Sequence, residues 1–489
     1  MKMHLVLLGL ILIIGLFFRT YEVVERFEFA HDGDLYSWIV KDVLVNHHFR
    51  LIGQLTSAPG IFIGPLFYYL LIPFFVLTKM DPIGAIFPVT ILGLFTIFSY
   101  YLVLSKLFNK QAGLIAAFLY AVLITTVNTD RWIVPTVTTS VWAIWYLYTL
   151  VLMARGKFSV LPFLGILIGL IWSIHIALIP SLIAIPAGLF VSRKVPNLKQ
   201  ITLFFGILII TLSPLILFEL RHNFQQTFAL IKNFTDPVEG SGGFDKFIRV
   251  LDMNVKNINA LFFAPQSFEF TQNVFFLILI LLLPLILIQR KLFSLKDFLP
   301  LYGWVLGIVL FFSISSSPIS EYYFSNLNVI FITFVSIVLA SVVGRRKIFL
   351  WIVVGGLIFI FLKDAQFLVA QDYYHKGYLE RKGIVNFIAR DAAKSGFPCV
   401  GISYITAPGE NVGFRYFFWL KKMHLVHPSL NVPVYNIVLP DELSKDEVKE
   451  KFGHIGIIPP AKIPSKEVIE KSCQTADTNL TDSVFGYVE

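Results

Sequence analysis

Eleven stretches of this chain are apolar for roughly the length of a bilayer crossing, and no other feature limits the fold as strongly. A span needs about 20 mostly apolar residues, because hydrocarbon offers no partner to backbone N–H and C=O groups. Such runs lie at 4–18, 84–104, 112–128, 136–153, 159–173, 175–191, 200–218, 271–289, 299–316, 326–343 and 348–363. Only 15% of the 489 residues are charged, against about 25% in an average soluble domain. Soluble domains must cover themselves with polar surface, so an ordinary cytosolic enzyme, a disordered chain and a fibrous chain are all excluded. The expected class is a polytopic α-helical membrane protein.

The first run follows Lys2 as a signal peptide would, but it ends in Phe18-Arg19-Thr20-Tyr21 without a small-residue cleavage site, which favours an uncleaved anchor. A twelfth run, 61–77, contains Gly64-Pro65 and Pro73, and whether it crosses sets the side of every later loop. Charge decides. If it does not cross, one side collects Lys2, Lys106, Lys110, Arg155, Lys157, Arg193, Lys194, Lys199, Arg290, Lys291, Lys296, Arg345, Arg346 and Lys347 against a single acid, Asp297. Basic residues gather in short cytoplasmic loops. The expectation is therefore about eleven transmembrane helices, a cytoplasmic N-terminus, an extracytoplasmic C-terminus, and a helix over 61–77 embedded in or lying on the outer face. The net charge of +9 belongs to these loops and does not indicate nucleic acid.

Two domains are expected: a transmembrane domain over 1–363, with a first outer loop at 19–83, and a soluble extracytoplasmic domain over 364–489. In the latter, helix is expected at 379–395 and 444–452 and strand at 398–404, 432–438 and 454–458, which makes a small α/β domain. The chain's two cysteines, Cys399 and Cys473, both fall there. They form no metal-binding spacing, but can pair if this part faces an oxidising compartment.

The first outer loop carries Asp32-Gly33-Asp34, two carboxylates close to the end of the first span. A carboxylate there can take a proton from an acceptor hydroxyl or amine, or orient it for attack; the plain alternative is a solvated turn. Two oxygens are too few to hold a divalent cation without further ligands. His47-His48 reads as surface, because adjacent residues do not face the same way on a helix. Other polar groups gather at expected outer ends of spans: Asn128, Asp130 and Arg131; His175; Glu219, Arg221, His222 and Asn223; and Ser317, Pro318, Ser320, Glu321, Tyr322 and Tyr323. Each could cap a helix or pair across an interface. Their common side points to an outward-facing polar cavity.

Asp32-Gly33-Asp34, the later Pro59-Gly60 and Gly64-Pro65-Leu66-Phe67-Tyr68-Tyr69, and Lys106-Leu107-Phe108-Asn109-Lys110 together resemble the GT-C glycosyltransferases. Similarity is greatest to the family-39-like members, which include protein O-mannosyltransferases and aminoarabinose transferases, and it extends over roughly residues 1–345. The resemblance implies a membrane enzyme that uses a polyprenyl-phosphate sugar on the extracytoplasmic side, with inversion. Its first-loop pattern is Asp-Glu with the Asp as general base. Asp32 matches that Asp, Gly33 stands where Glu is usual, and Asp34 remains the alternative carboxylate. Trp132-Ile133-Val134-Pro135 is similar to the family's Trp-Asn-Pro stretch without its Asn, and Glu321-Tyr322-Tyr323 is similar to its late outer loop.

Expected roles follow. Asp32 and Asp34 are the catalytic candidates; Arg131, Arg221 and Lys41 would hold the donor phosphate; and His175, His222, Glu321, Tyr322 and Tyr323 would line the cavity. Expected partners are the polyprenyl-phosphate sugar, membrane lipid, and a glycan, lipid or protein acceptor. No nucleotide, cofactor or metal site is implied. The rival readings are a transporter or flippase of lipid-linked sugars, which would favour internal repeats, an O-antigen-type polymerase or ligase, and a non-catalytic scaffold.

Overall fold

A computed structural model describes residues 3–56, 58–235, 243–264, 274–289, 293–315, 319–343, 347–410 and 412–476. Lys2, Arg290, Lys291, Arg345, Arg346, Ser317 and Pro318, named above, lie outside the described residues. Every expected span lands on helix over its described residues, with 175–191 divided between a 3-10 segment, Ile176–Ile183, and an α-helix, and with 271–273 and 316 outside the described residues. In chain order the α-helices of the chain begin with α1 (Met3–Thr20), α2 (His31–Val45), α3 (Leu66–Leu77), α4 (Ile86–Leu107), α5 (Lys110–Val122), α6 (Ile124–Arg131), α7 (Thr139–Ala154), α8 (Leu161–Ile174), α9 (Ala184–Ser192) and α10 (Leu198–Arg221). They continue with α11 (Gln225–Thr235), α12 (Phe244–Phe263), α13 (Val274–Gln289), α14 (Leu295–Ile314), α15 (Asn328–Val343) and α16 (Lys347–Ala370). Among the described residues seven segments are long and apolar enough to cross a membrane, and α5 with α6, bent by 64°, would make an eighth if the pair is one span. Phe158–Ile174, Ile176–Ser192 and α13 are apolar but shorter. The chain is a multi-pass membrane protein.

Local chemistry sets these boundaries. Asn197 and Gln200 form a reciprocal capping box that opens α10. Asn109 caps α5 by accepting from Ala112 N–H. Where α5 breaks at Leu123, the Thr126 hydroxyl donates to the carbonyls of Tyr120 and Leu123, each at 2.7 Å. The expected helix over 61–77 starts only at Leu66. Residues 53–56 and 58–63 instead fold back on each other through Gly53 N–H to Ile63 O and Ile63 N–H to Gln54 O, with Gly60 at φ +77°. The remaining 12-residue helix reaches about 18 Å at 1.5 Å per residue, well short of the hydrocarbon core.

Two compact units emerge. The first comprises 1–21, 50–67 and 89–371; the second comprises 22–49, 68–88 and 372–489. The boundary expected at 363/364 therefore falls inside α16, and most of the first outer loop belongs with the C-terminal unit. Composition could not show this, because the grouping is made by contacts between segments hundreds of residues apart.

Within the first unit, contacts define the two ends of the helical bundle. At one end Arg155 pairs with Asp297 at 2.6 Å and donates to Leu107 O, while Phe108 packs on Phe293 and Phe298. At the other, Arg131 donates to Tyr21 O, Gly64 N–H to Trp172 O, Asn257 to Phe324 O, and Lys363 to the carbonyls of Phe262 and Ala264. Tyr21 and Arg131 share an end only if an even number of crossings separates them. Crossings by α4 and by the bent pair α5–α6 would supply that number with none at 61–77. The basic loops fall together, as the charge argument required.

The second unit is built on a four-stranded sheet, β1 (Gly401–Thr406), β2 (Val434–Leu439), β3 (Glu450–Phe452) and β4 (Ile455–Ile458), in the order β1-β2-β4-β3. β1 and β2 are parallel, and the other pairings are antiparallel. Three more helices complete it: α17 (Tyr378–Lys394), α18 (Arg415–Leu420) and α19 (Lys466–Ser472). The expected helix over 444–452 is absent. Gly453, at φ +55°, turns the chain so that Glu450–Phe452 pairs with β4, and Phe452 packs against Gly383 of α17. Cys399 and Cys473 form a disulfide.

Candidate active site

The Asp32-Gly33-Asp34 segment is the first turn of α2 rather than a loop. Asp32 therefore sits where the exposed N–H groups of a helix favour negative charge. It is half-buried, and its charge reaches Tyr36 one turn on. Burial, then the nearby charge of Asp32, pushes the Tyr36 phenol well above its ordinary range.

Gly33 is held by shape. A Cβ there would come within 2.7 Å of the Phe29 ring, whose centroid lies 4.7 Å from that of Phe417. The Glu of the family pattern has no room at this position.

Asp34 is buried to 2% exposure and fully engaged. Arg415 Nε donates to Oδ2 at 3.0 Å and the Tyr416 N–H donates to Oδ1 at 2.7 Å. Burial raises its pKa, with the Arg415 charge and these hydrogen bonds working the other way. An acid clamped in this way joins α2 to α18. Lys41, on the same helix, is also buried, its ammonium 4.9 Å from the Trp38 ring centroid and 5.8 Å from that of Trp419. Burial lowers its pKa, against the opposing charge of Asp42.

The remaining expected site residues belong to the first unit. The structure brings three of them together. His175 breaks the chain after α8 and accepts from Ala177 N–H through Nδ1, which leaves Nε2 facing the Tyr322 hydroxyl at 3.4 Å. The Tyr323 ring lies 5.2 Å from the imidazole. Beside them, Gly64 allows the chain to pass against Ser173, where a Cβ would come within 2.5 Å of the hydroxyl oxygen.

Arg131 ends α6 with Nη2 on Tyr21 O at 2.6 Å. Its neighbour Asp130 is buried, salt-bridged to Arg19 at 2.6 Å and accepting from the Tyr120 hydroxyl at 2.7 Å. Asp130 is thus a clasp between α1 and the bent helix. Arg221 is exposed in the last turn of α10, and His222 stacks on Phe218 with Nδ1 donating to its carbonyl. Glu219 accepts from Gln226 and Thr227, capping α11. Glu321 is exposed at the start of a 3-10 turn.

Sequence reasoning missed Arg415, 381 residues from its partner. It also missed Asp81, which accepts from Tyr378 and Lys382. In the second unit Asp441, Glu442 and His454 bring one ligand atom each within 4.8 Å of one another.

No family model and no curated protein matches the chain. Solved structures do. ArnT from Cupriavidus metallidurans, bound to undecaprenyl phosphate, aligns with a TM-score of 0.57 and 12% identity over 94% of this chain and 99% of that one. The oligosaccharyltransferase AglB from Archaeoglobus fulgidus, in complex with an inhibitory peptide and a dolichol-phosphate, aligns with a TM-score of 0.51 and 14% identity over 95% of this chain and 75% of that one. The chain shares the fold of these membrane glycosyltransferases, the fold that the first-loop residues implied.

Proposed function

We propose that this protein is an inverting glycosyltransferase that moves a sugar from a polyprenyl-phosphate donor to an acceptor at the extracytoplasmic face of the membrane. The observation that carries the reading is a fold shared along nearly the whole length of ArnT, with a carboxylate, Asp32, in the first turn of the helix after the first span. Undecaprenyl phosphate in that structure and dolichol-phosphate in AglB support the donor class.

Asp32 takes the proton of the acceptor hydroxyl or amine, whose lone pair attacks the anomeric carbon in line while the bond to the phosphate oxygen breaks. Polyprenyl phosphate leaves as an anion and needs no proton if cations hold it. Arg221, Arg131 and Lys41 are the cations assigned to it, and His175, Tyr322 and Tyr323, with His222 and Glu321, line the sugar cavity. Asp34 holds the start of α2 through Arg415 and leaves the base role to Asp32. The basic loops gathered at one bundle end support a cytoplasmic position for that end, and the disulfide supports an oxidising compartment for the C-terminal unit.

Incubation of the purified protein with labelled polyprenyl-phosphate sugars and candidate acceptors tests the proposal. A product of inverted anomeric configuration is expected. Movement of intact donor across a vesicle without chemistry would replace the reading with a transporter.

A further inference from the structure

The second unit contains a cavity of about 250 Å³ lined by three elements. Thr78, Lys79 and Asp81 come from the loop after α3. Lys382, Val385 and Asn386 share one face of α17. Phe417, Leu420 and Lys421 come from α18 and its end. Pockets for drug-sized ligands run roughly 300–1,000 Å³, so this space suits a single ring.

Its charge is one-sided. Asp81 is satisfied: Oδ1 accepts from the Tyr378 hydroxyl at 2.7 Å and Ile83 N–H at 3.1 Å, and Oδ2 accepts from Lys382 at 2.6 Å. That carboxylate neutralises Lys382. Among the described residues no ion pair engages Lys79 or Lys421, both exposed at the rim. Lys79 is presented by a left-handed backbone, φ +55°, that continues through Met80. Two uncompensated ammonium groups and a third held in reserve make an anion site, Lys acting as a point charge. The rest of the wall suits a sugar. Val385, Phe417 and Leu420 are apolar, as the C–H face of a pyranose requires, and the Asn386 side chain adds an amide to the wall.

We infer that this pocket binds an acidic saccharide, a uronate or a sugar phosphate. As a docking point for the acceptor it rests on the transferase reading; the binding itself does not. Phe417 connects the two regions, since its ring packs on Phe29 and Phe29 on Gly33, next to Asp32.

Calorimetric titration of the full-length protein in detergent at low salt, without donor, tests the pocket separately from catalysis. Glucuronate and glucose 6-phosphate should bind at least about tenfold more tightly than glucose, as charge-assisted hydrogen bonds predict. A Lys79→Ala, Lys421→Ala double variant should lose that advantage, and Lys421→Glu should lose more, with melting temperatures unchanged because both side chains are exposed. Asp32→Asn should bind acidic sugars as the parent does, whatever its transfer rate. Equal binding of glucose and glucuronate, or undiminished binding by the double variant, overturns the proposal. Inorganic phosphate binding as tightly as glucose 6-phosphate overturns the saccharide class.

Discussion

Arg415 reaches Asp34 across 381 residues of chain, Nε to Oδ2 at 3.0 Å, with both side chains at most 2% exposed. Removing one member of a buried ion pair strands the other, at a cost of about 3–5 kcal/mol. Asp34→Ala and Arg415→Ala should each lower the melting temperature measured in detergent. Because they act on one interaction, the double variant should lose less than the two single losses combined. Additive losses would show that the two residues act independently.

Asp32 should behave differently. Asp32→Asn is expected to slow transfer by about 10²–10⁴, the usual contribution of a general base. Its cost in stability is confined to the helix-terminal charge effect, about 0.3–1 kcal/mol. Transfer assays paired with thermal melts separate the two. A dead Asp34→Asn variant that is fully folded, alongside an active Asp32→Asn variant, would exchange the roles.

The absent Glu at position 33 is a packing constraint. Gly33→Ala should destabilise by about 1–3 kcal/mol through overpacking against Phe29. In a Phe29→Leu background, the same change should cost less. Melting curves of the four variants decide this, and an equal penalty in both backgrounds would exclude Phe29 as the cause.

Among the described residues no hydrogen bond or ion pair engages the exposed Arg221 side chain, so Arg221→Ala should weaken polyprenyl-phosphate binding while leaving the melting temperature unchanged. Arg131 also holds the end of α1 through Tyr21 O, so Arg131→Ala should weaken binding and stability together. Lipid-phosphate titration and thermal melts read both effects.

Cys399 and Cys473 close a 74-residue separation, and chain-entropy arguments assign such a loop about 4 kcal/mol. Cys399→Ser should therefore lower the melting temperature of the C-terminal unit and leave Cys473 as a thiol. In intact cells that thiol should react with a membrane-impermeant maleimide. Labelling only after lysis would place this unit inside and reverse the orientation.

The membrane class and the placement of the apolar helices were legible because bilayer insertion depends on local quantities, apolar length and loop charge. These act residue by residue, whatever the rest of the chain does. The eleven runs all became helices, and the contact of Arg131 with Tyr21 agreed with the parity that the lysines and arginines implied.

What the sequence alone did not reveal was work done by long-range contacts. Asp32 and Asp34 look alike on paper, two acids around a glycine. Only tertiary structure separated them, by burying one against Arg415 and leaving the other half-open in a helix turn. Glu219 and Asp130, both read as cavity groups, became a helix cap and a clasp because their partners arrived from α11 and α1. The hairpin at 450–458 won over a helix because β2 was there to receive it. A desolvated charge or an edge strand takes its role from whatever neighbour satisfies it, and that neighbour is chosen by the fold.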